Sequence, residues 1–130
     1  MNVWEEPAVP TRVLIAEDEP NIVESLSFIL SRSGCDVASA PDGESALNSI
    51  RGDRPDVVIL DVMLPKMNGF EVLKTVRSDA ELKTIPIIIL TAKGQSQDRR
   101  MAEEIGADAF VTKPFSNQHI IDTVKELTGG

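Results

Sequence analysis

An α/β fold, a doubly wound five-stranded parallel sheet with helices on both faces, is predicted by three features of this sequence. Strand-sized apolar runs alternate five times with helical periodicities, and the connections between them are short. The runs Val13-Leu14-Ile15-Ala16, Val57-Val58-Ile59-Leu60, Ile87-Ile88-Ile89-Leu90 and Ala109-Phe110-Val111-Thr112 read as strands buried on both faces. Each of these leads into a chemically capable residue: Glu17-Asp18, Asp61, Thr91 and Lys113-Pro114. Ligands of open α/β sheets bind at the carboxyl ends of the strands, so these residues are expected to meet in one crevice.

Residues 1–11 contain Pro7 and Pro10 without periodicity and are expected to form a flexible N-terminal tail, in which Trp4 is a loose or locally anchored aromatic. Residues 12–128 form the domain. The first helix should open at Pro20, where a missing N–H costs nothing, bury Ile22, Leu26, Ile29 and Leu30, and stop before Gly34. A short strand at 36–40 follows. Asp42 then caps a helix that buries Ala46, Leu47 and Ile50 and ends near Gly52, and Pro55 keeps the chain extended into the third strand.

Asn68-Gly69 turns the chain after Asp61 into a helix with Phe70, Leu73 and Val76 inward, and Pro86 opens the fourth strand. Ser96 is expected to cap the fourth helix. Its strong apolar positions are only Met101 and Ile105, with Ala102 beside them, so it should be the most weakly amphipathic, exposed and mobile helix. Gly106-Ala107-Asp108 turns into the fifth strand, and Ser116 caps a last helix bearing Ile120, Ile121, Val124 and Leu127, with His119 on its surface.

Composition narrows the function classes. The 130 residues suit one domain with a sizeable core, and no internal repeat divides them. A net charge of −8 with no Lys/Arg run argues against nucleic acid as a direct partner and favours a basic or cationic one. No apolar run is long enough for a bilayer, and the N-terminus lacks the basic and apolar regions of a secretory signal. The lone Cys35 cannot form an internal disulfide and reads as a small buried hydrophobe. A cytoplasmic protein is expected.

The strand-end residues define the chemistry. Three carboxylates, a hydroxyl and an ammonium in one acidic pocket suit a hard divalent cation and a phosphoryl group carried on a carboxylate. Taken in order, "VLIAEDEP" at 13–20, "VVILDVMLPKMNGFE" at 57–71, "IPIIILTAKG" at 85–94 and "GADAFVTKPF" at 106–115 resemble the receiver (response-regulator) domain of two-component signalling, CheY-like, over residues 12–127.

That resemblance implies a flavodoxin-like (βα)5 sheet of order 2-1-3-4-5. It implies Mg²⁺ held by Asp18, Asp61 and the backbone carbonyl of Met63, with Glu17 acting through a bound water; Glu17 replaces a commoner Asp and keeps the charge. Asp61 is then the phosphoacceptor, Lys113 and Thr91 contact the phosphoryl oxygens, and the Lys113-Pro114 peptide is cis. Thr91 and Phe110 form the switch, Phe110 lacking a hydroxyl that would hold it toward solvent; an ordinary core aromatic is the competing reading. Met63 and Lys93 flank the site at positions that influence hydrolysis of the acyl phosphate.

The implied partners are a sensor histidine kinase or histidine phosphotransfer protein and a downstream protein target, met through the fourth helix, fifth strand and fifth helix. Direct nucleic-acid and membrane binding are not expected. The chain is expected to be a monomer or a phosphorylation-dependent dimer, and a stand-alone regulator or the receiver of a longer one. The resemblance implies no enzyme acting on other substrates, only a regulator that catalyses its own phosphorylation and dephosphorylation. Three other classes compete. An aspartyl phosphohydrolase would need an acid/base two residues after its nucleophile, where Met63 stands; a flavodoxin-like cofactor binder would need a phosphate-cradling loop where Glu17-Asp18-Glu19 stands; a degenerate scaffold would have lost residues that are intact here.

Overall fold

A computed structural model of the protein describes residues 9–92 and 94–129. Five strands, β1 (Arg12–Ala16), β2 (Asp36–Ala40), β3 (Val57–Asp61), β4 (Ile87–Ala92) and β5 (Ala109–Lys113), alternate with five helices. The helices are α1 (Pro20–Arg32), α2 (Gly43–Asp53), α3 (Gly69–Ser78), α4 (Ser96–Ile105) and α5 (Asn117–Thr128). The strands form one parallel sheet of order β2-β1-β3-β4-β5, as the resemblance implied.

Strand parity splits the core into two layers. Val58, Leu60, Ile87 and Ile89 pack against α2, α3 and α4, whereas Val57, Ile59, Ile88 and Leu90 pack against α1 and α5. β3, in the middle of the sheet, is buried along its whole length, which is why its sequence is an unbroken apolar run ending in a carboxylate. Two dry layers thus carry the side chain of Asp61 to the sheet's carboxyl edge without freedom to wander.

Local signals set the helix starts. Asp42, Asn68 and Ser116 each accept a hydrogen bond from the backbone N–H three residues on, Asp42 at 2.7 Å. Pro20 opens α1 as expected, behind Glu19, whose side chain makes no cap bond. α4 corrects the expectation: Gln95 holds the cap position without a side-chain bond, and Ser96 is already helical. α4 buries only Ala102 fully in the core, with half-buried Ile105 packed beside it, while Met101 is 49% exposed. This narrow apolar stripe faces the core and leaves the larger Met101 turned outward.

Other boundaries differ in detail. α2 runs past Gly52 to Asp53 and closes on Arg54 in the left-handed conformation (φ 46°). In α3 Val72 takes the inward place expected for Phe70, which lies half-buried at the core's rim; in α5 Thr123 is buried, its hydroxyl donating to the His119 carbonyl at 2.7 Å. Cys35 is half-buried rather than enclosed. Of the expected tail, residues 9–11 hold no regular element, and the Thr11 carbonyl accepts the Asp36 N–H at 2.8 Å; Trp4 and Lys93 lie outside the described residues. No described helix is long and apolar enough to cross a membrane.

Candidate functional site

Three strand ends build the site. Glu17 follows β1 directly, its backbone N–H reaching the Ala40 carbonyl at 3.1 Å as if the strand continued. Its side chain is then tied down by the turn into α1: Oε2 accepts the backbone N–H groups of Asp18 at 2.9 Å and Glu19 at 3.1 Å. Asp61 closes β3 and is 4% exposed, while Glu17 is 1% exposed and Asp18 open to solvent. One carboxylate oxygen from each of Glu17, Asp18 and Asp61 falls within 4.8 Å of the others.

Lys113 closes β5 and answers this charge. Its Nζ lies 2.8 Å from Glu17 Oε1 and 3.5 Å from Asp61 Oδ1. Oε1 is buried, and the Lys113 ammonium is its charge partner. The peptide between Lys113 and Pro114 is cis.

One ammonium against three carboxylates leaves the balance negative, and the protonation equilibria follow. Burial, reinforced by the neighbouring Glu17 charge, pushes the Asp61 carboxyl up to about 6. Burial also works against the Glu17 carboxylate, yet the Lys113 contact and the Glu19 backbone N–H outweigh it and hold Glu17 below the ordinary range. Burial opposes the charged form of Lys113 too, but Glu17 and Asp61 raise it. Asp61 is therefore the under-compensated member. The oxygen-only donor set of Glu17, Asp18 and Asp61 fits a hard divalent ion.

The cleft over these groups has a volume of about 650 Å³ and includes Asp18, Asp61, Met63, Gln95, Asp98 and Lys113 in its walls. Thr91 is buried and does not line it. Leu90 and Ala92 do, and parity puts Thr91 with Ile87 and Ile89 on the α2–α4 side of the sheet. Phe110 is half-buried against that same layer. Thr91 and Phe110 thus share a sheet face beneath the rim, and the guanidinium of Arg99 on α4 sits 4.8 Å from the Phe110 ring centre.

Gln95 and Asp98 were not singled out from the sequence. The signal was available: they stand in the first turn after the strand that carries Thr91, and helix starts as well as strand ends face the carboxyl edge of such a sheet. The Met63 side chain is 77% exposed at the cleft wall, and His119 lies on the surface of α5.

The family model of the response regulator receiver domain matches residues 13–125. The alkaline phosphatase synthesis transcriptional regulatory protein PhoP of Bacillus subtilis is 43% identical over 116 residues, which cover 89% of this chain and 48% of that protein. The chain spans about half the length of the curated relatives it matches. Among solved structures, the chemotaxis response regulator CheY4 of Vibrio cholerae matches with a TM-score of 0.85 at 32% identity, over 92% of this chain and 99% of that one. The signal receiver domain of a signal transduction histidine kinase from Syntrophus aciditrophicus matches with a TM-score of 0.86 at 34% identity, over 92% of this chain and 91% of that one.

Proposed function

The chain belongs to the response regulator receiver domain family, and from that premise we propose that it is a phosphorylation-activated signalling switch whose phosphoacceptor is Asp61. The observation that carries this reading is the meeting of Glu17, Asp18 and Asp61 within 4.8 Å beneath the ammonium of Lys113. An Asp61 carboxylate oxygen attacks the phosphorus of a phosphohistidine on a kinase or phosphotransfer protein. The P–N bond breaks, the imidazole leaves with the electron pair, and an acyl phosphate forms on Asp61.

Mg²⁺, when bound, neutralises charge on both the nucleophile and the incoming group. Asp18, Asp61 and the Met63 carbonyl would hold it directly, with Glu17 acting through water. The remaining roles belong to the chain itself. Lys113, at 3.5 Å from Asp61 Oδ1, can turn its point charge to the phosphoryl oxygens once they replace that contact. Thr91 must rise from beneath the rim to donate its hydroxyl, and its departure opens space on the face that Phe110 shares.

In this reading the rearranged surface of α4, β5 and α5 controls binding of a downstream protein, and the chain works in the cytoplasm without touching nucleic acid itself. Whether it acts alone or within a longer regulator, the chemistry at Asp61 is the same. The test is direct: incubate the protein with Mg²⁺ and a small acyl-phosphate donor and assay hydroxylamine-labile phosphate. Labelling of wild type and none of Asp61→Asn is the expected result. Equal labelling of both proteins, or rapid turnover of varied phosphate esters, would overturn it.

A further inference from the structure

The loop between Asp61 and α3, residues 62–68, carries the Met63 carbonyl and is gripped by glycines from two elements. Gly69 closes it at the α3 start. Its N–H donates to the Val62 carbonyl at 2.9 Å, and a Cβ there would meet the Asp61 carbonyl oxygen and lie 2.9 Å from Val62 Cα. Gly43, at the start of α2, meets the loop from elsewhere in the chain. Its N–H donates to the Pro65 carbonyl at 3.2 Å. A Cβ on Gly43 would collide with the Met67 carbonyl oxygen and come within 2.6 Å of the carbonyl carbon. These are backbone atoms and cannot rotate aside.

Backbone conformation is not what demands glycine here. Gly43 does not have a positive φ, unlike Gly34, Gly94, Gly106 and Gly129. The demand is for space alone. The two sides of the contact also differ in firmness. α2 is fixed by the Asp42 carboxylate, which accepts from the Ser45 N–H at 2.7 Å and its hydroxyl at 2.9 Å, and by Ala46, Leu47 and Ile50 in the core. Across from it Pro65, Lys66 and Asn68 are exposed, and Lys66 takes a φ of 67°. The Met67 N–H donates to the Pro65 carbonyl at 2.7 Å, so pushing Met67 moves the whole tip.

From this we propose that Gly43 is a positioning residue: by lacking a side chain it lets the loop close against α2, and so sets where the Met63 carbonyl stands and how tightly the site takes a divalent cation. The inference rests on the metal-dependent reading of Asp61 given above. Second-layer changes around a metal cost roughly tenfold or more in affinity, and that is the size of effect expected.

The test is a calorimetric Mg²⁺ titration of the whole chain in three forms: wild type, Gly43→Ala and Gly52→Ala. Gly43→Ala should raise the dissociation constant roughly tenfold. Gly52→Ala, with nothing within 4 Å of its added methyl, should leave the constant unchanged. Gly43→Ala binding as tightly as wild type, or Gly52→Ala binding as weakly as Gly43→Ala, overturns the inference. If Gly43→Ala does not fold, amide NMR of wild type decides: on Mg²⁺ addition the Gly43 and Met67 resonances should move together with Met63, and if they stay still while Asp18 and Asp61 move, the inference fails. A wild type that takes no Mg²⁺ overturns the functional reading itself.

Discussion

Lys113 Nζ stands 2.8 Å from Glu17 Oε1 and 3.5 Å from Asp61 Oδ1, one ammonium shared unequally between two buried carboxylates. Removing one partner of a largely buried ion pair leaves an uncompensated charge, which costs more than the pair was worth. Lys113 is 23% exposed, so solvent relieves part of that penalty. Lys113→Ala should therefore destabilise the metal-free protein by about 2 kcal/mol in urea unfolding. Saturating Mg²⁺ should shrink the difference, because the ion supplies positive charge to the same carboxylates. A variant equally destabilised with and without Mg²⁺ would show that Lys113 matters through packing instead.

Asp61 gives a pH prediction of definite sign. Its carboxyl is raised from 3.8 to about 6, so the folded, metal-free protein binds this proton more tightly than the unfolded chain does. The stabilisation that follows is fully present below pH 3.8 and is lost as pH rises through about 6. In EDTA, Asp61→Asn should then be more stable than wild type above pH 6 by on the order of 2 kcal/mol, with the advantage shrinking toward pH 4. Glu17, shifted downward, contributes the opposite trend, its stabilisation lost as pH falls below the ordinary carboxylate range, so the two windows separate. Urea midpoints of both proteins from pH 4 to pH 7.5 measure the difference.

How much of this could be read from the sequence depends on whether the physics is local. The β3 run is apolar because both its faces are buried, and the caps at Asp42 and Ser116 act within three residues, so composition and spacing revealed them, whereas Asn68 was legible as a turn residue and not as a cap. The site was legible for a related reason: parallel strands bring their ends together, so Glu17, Asp18, Asp61 and Lys113 could be assigned to one place. Thr91 was only half legible, because reaching a strand's end does not say which face its side chain takes. Gly43 carried no signal at all, since its demand comes from Met67, a residue of another βα unit.

Arg77 is the clearest case of structure that spacing could not foretell. Its Nε donates to the Gly106 carbonyl at 2.8 Å, and one terminal nitrogen donates to the carbonyls of Lys83 at 3.0 Å and Ile85 at 2.8 Å. The other reaches Asp108 Oδ2 at 2.6 Å, and that same oxygen accepts the Ile87 N–H at 2.8 Å. One guanidinium thus ties α3 to the starts of both β4 and β5, at the sheet edge opposite the candidate site. Arg77→Ala should cost about 3 kcal/mol, and Arg77→Lys should recover less than half, because a point ammonium cannot reach acceptors spread around a planar fork. Mg²⁺ affinity should stay at the wild-type value in both. A parallel loss of metal binding would mean that the two sheet edges are coupled.

Arg99 and Phe110 give the last prediction, at the face where output is proposed. The guanidinium lies 4.8 Å from the ring centre and also 3.8 Å from Glu103 on its own helix, and it is mostly exposed. Exposed cation–π contacts contribute about 0.5–1 kcal/mol, and exposed helical ion pairs contribute less. This contact bears on α4 in particular, since Ala102 is that helix's one buried residue. A double-mutant cycle of Arg99→Gln and Phe110→Leu should show a coupling of roughly 0.5–1 kcal/mol in urea unfolding, largely retained in molar salt. The Arg99–Glu103 pair should show no coupling above about 0.3 kcal/mol once salt is raised. Coupling confined to Glu103 would leave Phe110 free of α4, and movement of its ring would then have no path to that helix through Arg99.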